Sequence, residues 1–131
     1  MEGIMESPKP NRVDEMEADI FRALGHPIRV QIVKFLEKGE RTVSEIVQGV
    51  GAEQSNVSRH LAILRQSGVL MSRKEGLKVY YNVRSAEFPK MIVCVGNCVQ
   101  NLMRERKQID ESTLSEAEEE VSPPAAAAGT E

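Results

Sequence analysis

Gln54-Ser55-Asn56-Val57-Ser58-Arg59-His60-Leu61-Ala62-Ile63-Leu64-Arg65-Gln66-Ser67-Gly68 holds its apolar residues at helical spacing. At about 100° per residue, Val57, Leu61 and Leu64 fall on one stripe. The opposite side carries Ser55, Arg59, Ala62 and Gln66, with Ser58 flanking and Gln54 at the N-terminal tip. Past Glu53 that outer side has no carboxylate. A core can therefore hold one face while the other stays polar and open. The DNA major groove, about 12 Å wide, admits such a helix, and Gln, Arg and Ser side chains can hydrogen-bond base edges there. The free N–H groups at a helix start also favour phosphate. His60 falls beside the Val57/Leu61 stripe; such a His is more often packed or bonded to backbone, and it is kept among the candidate DNA contacts on the minority reading, as a phosphate or base ligand. In isolation, a solvated amphipathic helix has the same pattern, so the flanking sequence decides between them.

Upstream, Thr42-Val43-Ser44-Glu45 has the spacing of a capping box, with Thr42 as N-cap and Glu45 reaching back. It predicts a short helix through Ile46 and Val47, broken at Gly49-Val50-Gly51. Pro27 suits the first position of an earlier helix, whose Ile28, Ile32, Val33, Phe35 and Leu36 face inward and which stops at Gly39. Val13, Met16, Ile20 and Leu24 lie three and four apart, an amphipathic helix ended by Gly25. Downstream, Val69-Leu70-Met71 and Val79-Tyr80-Tyr81 are short β-prone runs around a polar loop, Ser72 to Lys78. A last helix runs from about Ala86 or Phe88 to Lys107, with Pro89 tolerated in its first turn. The order α-α-α-α-β-β-α is a mainly α fold with a small β-hairpin, a winged helix-turn-helix. The hairpin tip brings Arg73, Lys74 and Lys78 together, a basic loop suited to the phosphate backbone or minor groove.

Composition agrees with one small domain. The chain has 131 residues, 40% of them apolar but only 4% aromatic and none Trp, so aliphatic side chains must fill the core. Residues 1–12 read as a flexible arm and 13–108 as the folded domain. Residues 109–131 read as an acidic disordered tail, because nothing there buries enough surface to offset ordering entropy. Charge is unevenly placed. That tail carries seven acids and no Lys or Arg, whereas Arg22 to Lys107 carries 15 basic against seven acidic residues, a net of +8. A basic domain fits a polyanionic partner. The longest apolar run, Met91 to Val95, is far short of a membrane span, and no secretory signal is evident. Two cysteines without such a signal suggest a reducing, cytoplasmic setting. No paired-carboxylate, Ser/His/Asp or Gly-rich phosphate motif supports an enzyme. The alternatives are a regulator with no small-molecule inducer and a winged-helix module for protein contact, which has no need of Arg59 and the Arg73/Lys74/Lys78 tip on a single side.

Ala23-Leu24-Gly25-His26-Pro27-Ile28-Arg29 with Ile32-Val33-Lys34-Phe35-Leu36, the helix Gln54 to Ser67, and Arg73-Lys74-Glu75-Gly76-Leu77-Lys78-Val79-Tyr80-Tyr81 together resemble the ArsR/SmtB family of repressors. The resemblance covers roughly residues 15–107. It implies a homodimeric repressor of double-stranded DNA, released from its operator by an inducer. It implies that Gln54, Ser55, Ser58 and Arg59 face DNA. It also implies that the first and last helices form the dimer interface, which here would use Met16, Ile20, Met91, Val95, Val99 and Leu102.

The metal-binding patterns of the family are absent. Ser44-Glu45-Ile46-Val47-Gln48 holds no Cys or His, and Phe88 to Lys107 holds no His or Asp and only Glu105 as an acid. No cofactor is therefore certain. Cys94 and Cys98 remain, four apart and so on one helix face. Two such thiolates could chelate a soft metal or metalloid ion, or undergo oxidation. The competing reading makes both buried interface residues beside Val95, Val99 and Leu102.

Overall fold

Side-chain hydrogen bonds to backbone N–H groups set where three of the helices begin. The computed structural model describes residues 9–129, with side chains described through residue 117. Asn11 opens α1 (Arg12–Leu24): its side-chain oxygen accepts from the Asp14 N–H, and the Asp14 carboxylate accepts from the Asn11 N–H, both at 2.9 Å. The expected arm through residue 12 thus gives way to a capped helix at Asn11; residues 1–8 lie outside the described residues. His26 opens α2 (Pro27–Phe35), its Nδ1 accepting from the Ile28 N–H at 3.1 Å. A 3₁₀ turn, Leu36–Lys38, follows. Thr42 opens α3 (Val43–Val50) with the capping box read from sequence: the Glu45 N–H donates to the Thr42 hydroxyl at 3.2 Å, and the Thr42 N–H donates to the Glu45 carboxylate at 2.9 Å.

α3 runs through Gly49 and Val50, where the sequence reading placed a break. The stop is Gly51, whose φ of 74° lies in the left-handed region that glycine enters without steric cost. Gly49 is helical for a different reason. A Cβ there would sit 2.4 Å from the Phe35 ring, so its missing side chain lets α3 close on α2. α4 (Gln54–Ser67) ends at Gly68, whose carbonyl accepts from Arg84 Nε at 3.0 Å.

The sheet has three antiparallel strands in the order β1 (Arg41–Thr42), β3 (Lys78–Val83), β2 (Leu70–Glu75). The hairpin is longer than expected. Strand pairing consumes most of the polar Ser72–Lys78 segment and leaves Gly76-Leu77 as its turn, because Arg73 pairs across to Tyr80 and Glu75 to Lys78. Cross-strand partners of this kind stabilise a ribbon that has no apolar alternation. β1 adds a strand the sequence reading lacked; two residues carry no periodicity, and only their register against Tyr80 and Tyr81 defines them.

The chain falls into two compact units that divide between Ile92 and Val93. In the first, Ile32, Val33, Leu36, Ile46, Val57, Leu61, Leu64, Val69 and Leu70 form a fully buried aliphatic core. Phe88, Pro89, Met91 and Ile92, from the start of α5 (Glu87–Gly129), pack into it or lie buried. The second unit is the remainder of α5. The helix continues to Gly129, past residue 109, where the sequence reading began an acidic tail. The expectation weighed burial alone. Extending a formed helix avoids the cost of nucleation, and Glu and Ala, frequent in this segment, are strong helix formers, although Pro123 and Pro124 oppose it.

Gly49→Ala is expected to lower stability by about 1–2 kcal/mol, because overpacking against Phe35 exceeds the roughly 1 kcal/mol gained in helix propensity. Urea unfolding checks this, and adding Phe35→Leu should restore part of the loss.

Candidate nucleic-acid interface

Burial sorts the residues of α4 into two faces. Val57, Leu61 and Leu64 are fully buried. Gln54, Ser55, Ser58, Arg59, Ala62 and Gln66 are exposed. The wheel read from sequence is thus the arrangement in the fold for all of these. Arg59 Nη2 donates to the Asn56 side-chain carbonyl at 2.7 Å, which holds the guanidinium along the outer face. Beside α4, an open cleft of about 700 Å³ separates the helix start from the hairpin, lined among others by Ser44, Gln54, Ser58, Leu77, Lys78 and Tyr80.

His60 is the exception. It is only 4% exposed, so it lies on the core side of α4 and is removed from the list of outward contacts. Its ring centroid is 4.3 Å from that of His26, and its Nδ1 is buried without a hydrogen-bond partner. Position 60 is three residues after Val57 and one before Leu61, which widens the buried stripe enough to include it. Burial holds its pKa below the ordinary value of 6.5, and the charges of His26, Arg29 and Arg59 push the same way.

The hairpin cations divide as well. Lys74 and Lys78 are exposed. Arg73 is committed within the fold. Its Nε and Nη2 donate to the two carboxylate oxygens of Glu40 at 2.8 and 2.7 Å, and Nη1 donates to Glu75 at 2.8 Å. Its guanidinium also lies 4.4 Å from the Tyr80 ring centroid. Arg73 therefore acts first as a clamp between the hairpin and the chain entering β1, where the sequence placed a free cation. Its hydrogen bonds hold the Glu40 carboxyl below the usual range. Sequence offered no signal for this pair, because 33 residues separate the partners.

The remaining candidates lie on α1 and α5. Met16 is exposed, as are Val95, Val99 and Leu102. Ile20 and Met91 are half-buried and pack against the core of the first unit. Val13 and Phe21, exposed on α1, were absent from the expected set, because helical spacing alone assigns Val13 inward. Cys94 and Cys98 are free and exposed on α5. Among the described residues no group of three or more His, Cys, Asp or Glu side chains could hold a metal ion. No helix among them is long and apolar enough to cross a membrane.

Comparison with known proteins gives this geometry its context. The family described as bacterial regulatory protein, arsR family, matches residues 26–72, from the cap of α2 through the first half of β2. An uncharacterized HTH-type transcriptional regulator of Methanocaldococcus jannaschii is 39% identical over 70 residues, which cover 53% of this chain and 79% of that protein. The chain belongs to the arsR family. It is accordingly a winged helix-turn-helix, DNA-binding transcriptional regulator. A probable mercury resistance operon repressor of Streptomyces lividans is 41% identical over 66 residues, covering 50% of this chain and 53% of the relative. Among solved structures, HlyU from Vibrio cholerae N16961 matches with a TM-score of 0.61 and 29% identity, covering 68% of this chain and 97% of that one. The part of this arsR-family chain that matches spans α2 to α4 and the start of β2, and so holds the α3–α4 side of the cleft; Leu77 to Tyr80, on its hairpin side, lie beyond it.

The lowered pKa of His60 has a stability consequence. As pH falls through about 6.5 the unfolded chain takes up a proton at this position and the folded chain does not. Stability is therefore complete above that pH and declines below it. The melting temperature is expected to drop between about pH 7 and 5, and to drop less in His60→Leu. Identical pH profiles for the two proteins would exclude His60 as the cause.

Proposed function

We propose that the chain is a homodimeric transcriptional repressor that reads double-stranded DNA with the outer face of α4 and leaves its operator when a thiol-reactive species engages Cys94 and Cys98. One observation carries the DNA reading: Gln54, Ser55, Ser58 and Arg59 are exposed on the face of α4 opposite the fully buried Val57, Leu61 and Leu64. In this reading Arg59 and Gln54 hydrogen-bond base edges in the major groove. Ser55 and Ser58 fill the space between without blocking approach. Lys74 and Lys78 meet phosphates from the hairpin and fix register without reading sequence. The exposed apolar residues of α1 (Val13, Met16, Phe21) and of α5 (Val95, Val99, Leu102) are what a second copy would cover. A regulator that acts on DNA in this way works in the cytoplasm.

The sensing half of the reading rests on Cys94 and Cys98, two free, exposed thiols four residues apart on one helix. Two thiolates suit a soft ion of low coordination number, each thiol giving up its proton on binding. They do not by themselves complete a four-coordinate site. The kinship with a relative named for mercury resistance supports a soft inducer over a hard one.

Fluorescence anisotropy on a duplex selected from a random-sequence pool tests both halves. Arg59→Ala is expected to weaken specific binding by about 1–3 kcal/mol. Lys78→Ala should weaken specific and non-specific duplexes alike and reduce the salt slope by about 1. Unchanged affinity and specificity in Arg59→Ala would remove that residue from the interface. Cys94→Ser with Cys98→Ser should leave operator binding intact and abolish release by mercuric ion or arsenite. Release that persists in the double variant would exclude the pair as the sensor.

A further inference from the structure

Leu77 is 99% exposed, while the other large apolar side chains exposed among residues 9–92 (Val13, Met16, Phe21 and Met71) are 42 to 62% exposed. It stands with Gly76 at the tip of the hairpin, in a two-residue turn between Glu75 and Lys78. Polar residues and glycine are the usual occupants of such a turn. Nothing in the fold of the first unit requires a leucine there, since the side chain is left in water. The tip is nevertheless continuous with the proposed DNA surface, because Leu77 lines the same cleft as Gln54 and Ser58. Its charged neighbours divide by sign. Lys74 and Lys78 are exposed, whereas Glu75 is drawn back to Arg73 at 2.8 Å. The tip thus presents an apolar side chain between two cations, beside a glycine that adds no width.

We infer that Leu77 is a positioning residue of the DNA complex, entering the minor groove at the edge of the site and packing on the sugar faces of its walls. This rests on the DNA reading of α4 given above. The minor groove is about 6 Å wide, too narrow for a helix and wide enough for a single side chain at a turn. Its walls are deoxyribose, which offers apolar contact without base identity, and apolar side chains are a recurrent device of minor-groove binders. Lys74 and Lys78 are placed to meet the phosphates that border the groove. Insertion removes Leu77 from water only in the complex, so its burial contributes to binding and not to folding.

An apolar contact and a phosphate contact differ in how they respond to salt, and this separates Leu77 from its neighbours. Binding of the full chain to the selected duplex is measured across salt concentrations for wild type, Leu77→Ser and Lys78→Ala. Hydroxyl-radical footprints, which report the minor groove, accompany each. Leu77→Ser is expected to weaken binding about fivefold to tenfold with the salt slope unchanged. It should also lose protection at the outer edges of the footprint. Lys78→Ala should instead flatten the slope by about one phosphate contact. Because the side chain contacts nothing in the folded chain, Leu77→Ser should melt at the wild-type temperature. Leu77→Ser that binds within about twofold of wild type with an unaltered footprint overturns the inference, and a role in protein contact would then take its place. If in that case Arg59→Ala still weakens binding, the reading of α4 stands and only the tip assignment falls. If wild type prefers no duplex over competitor, both fall.

Discussion

The rotation of α4 about its own axis is fixed by three side chains. Val57, Leu61 and Leu64 are fully buried against α2, α3 and β2, among Ile32, Leu36, Ile46 and Leu70. Turning the helix by a quarter would expose leucine on one side and bury Ser55 or Arg59 on the other. Either change costs several kcal/mol: about 1.5–3 for each aliphatic side chain brought into water, and more for an unpaired guanidinium taken out of it. The outer face is therefore presented as a consequence of the core. The polar residues themselves do nothing to aim it. The close approach of α3 at Gly49 and the left-handed stop at Gly51 place the start of α4 where that core requires it.

The same economy governs charge. Residues Arg22 to Lys107 carry a large basic excess, yet their acids are not spread at random over the surface. Glu40 and Glu75 are bound by Arg73, and Glu45 is bound by the capping box of Thr42. These carboxylates are anchored to their own partners, while Arg59, Lys74 and Lys78 remain exposed, Lys78 on the lining of the cleft. An exposed ion pair contributes little stability as a rule. A bidentate Arg–carboxylate pair contributes direction instead, and here it ties the hairpin to Glu40, the residue that leads into β1. The electrostatic surface follows from which charges the fold has already used.

The back of α4 holds a less settled arrangement. The rings of His60 and His26 meet at a tilt, with centroids 4.3 Å apart, and neither His60 Nδ1 nor Arg29 Nε has a hydrogen-bond partner in the fold. His26 is also the cap of α2 through its own Nδ1. One pair of rings thus joins the start of α2 to the core side of the helix that faces outward. An unpaired buried polar atom costs about 1–3 kcal/mol, so the site is a weak point in an otherwise aliphatic interior.

Most of the architecture was legible because its signals are local. A capping box spans four residues, a helical stripe spans two turns, and a glycine stop acts on its neighbours. Thr42/Glu45, the Val57/Leu61/Leu64 stripe and the exposed Gln54, Ser55, Ser58 and Arg59 followed from that. What sequence alone misjudged involves partners far along the chain or a balance between competing terms. The side of α4 on which His60 lies depended on how wide the buried stripe became once α2 packed against it. Arg73 passed from free cation to clamp because Glu40 reaches it across the sheet. Two-residue β1 exists only as the partner of β3. Order within one segment is a matter of intrinsic propensity and spacing, and the chain states it directly. Which surfaces and charges remain unsatisfied is a matter of what folding brings alongside them, and that is decided only when the elements meet.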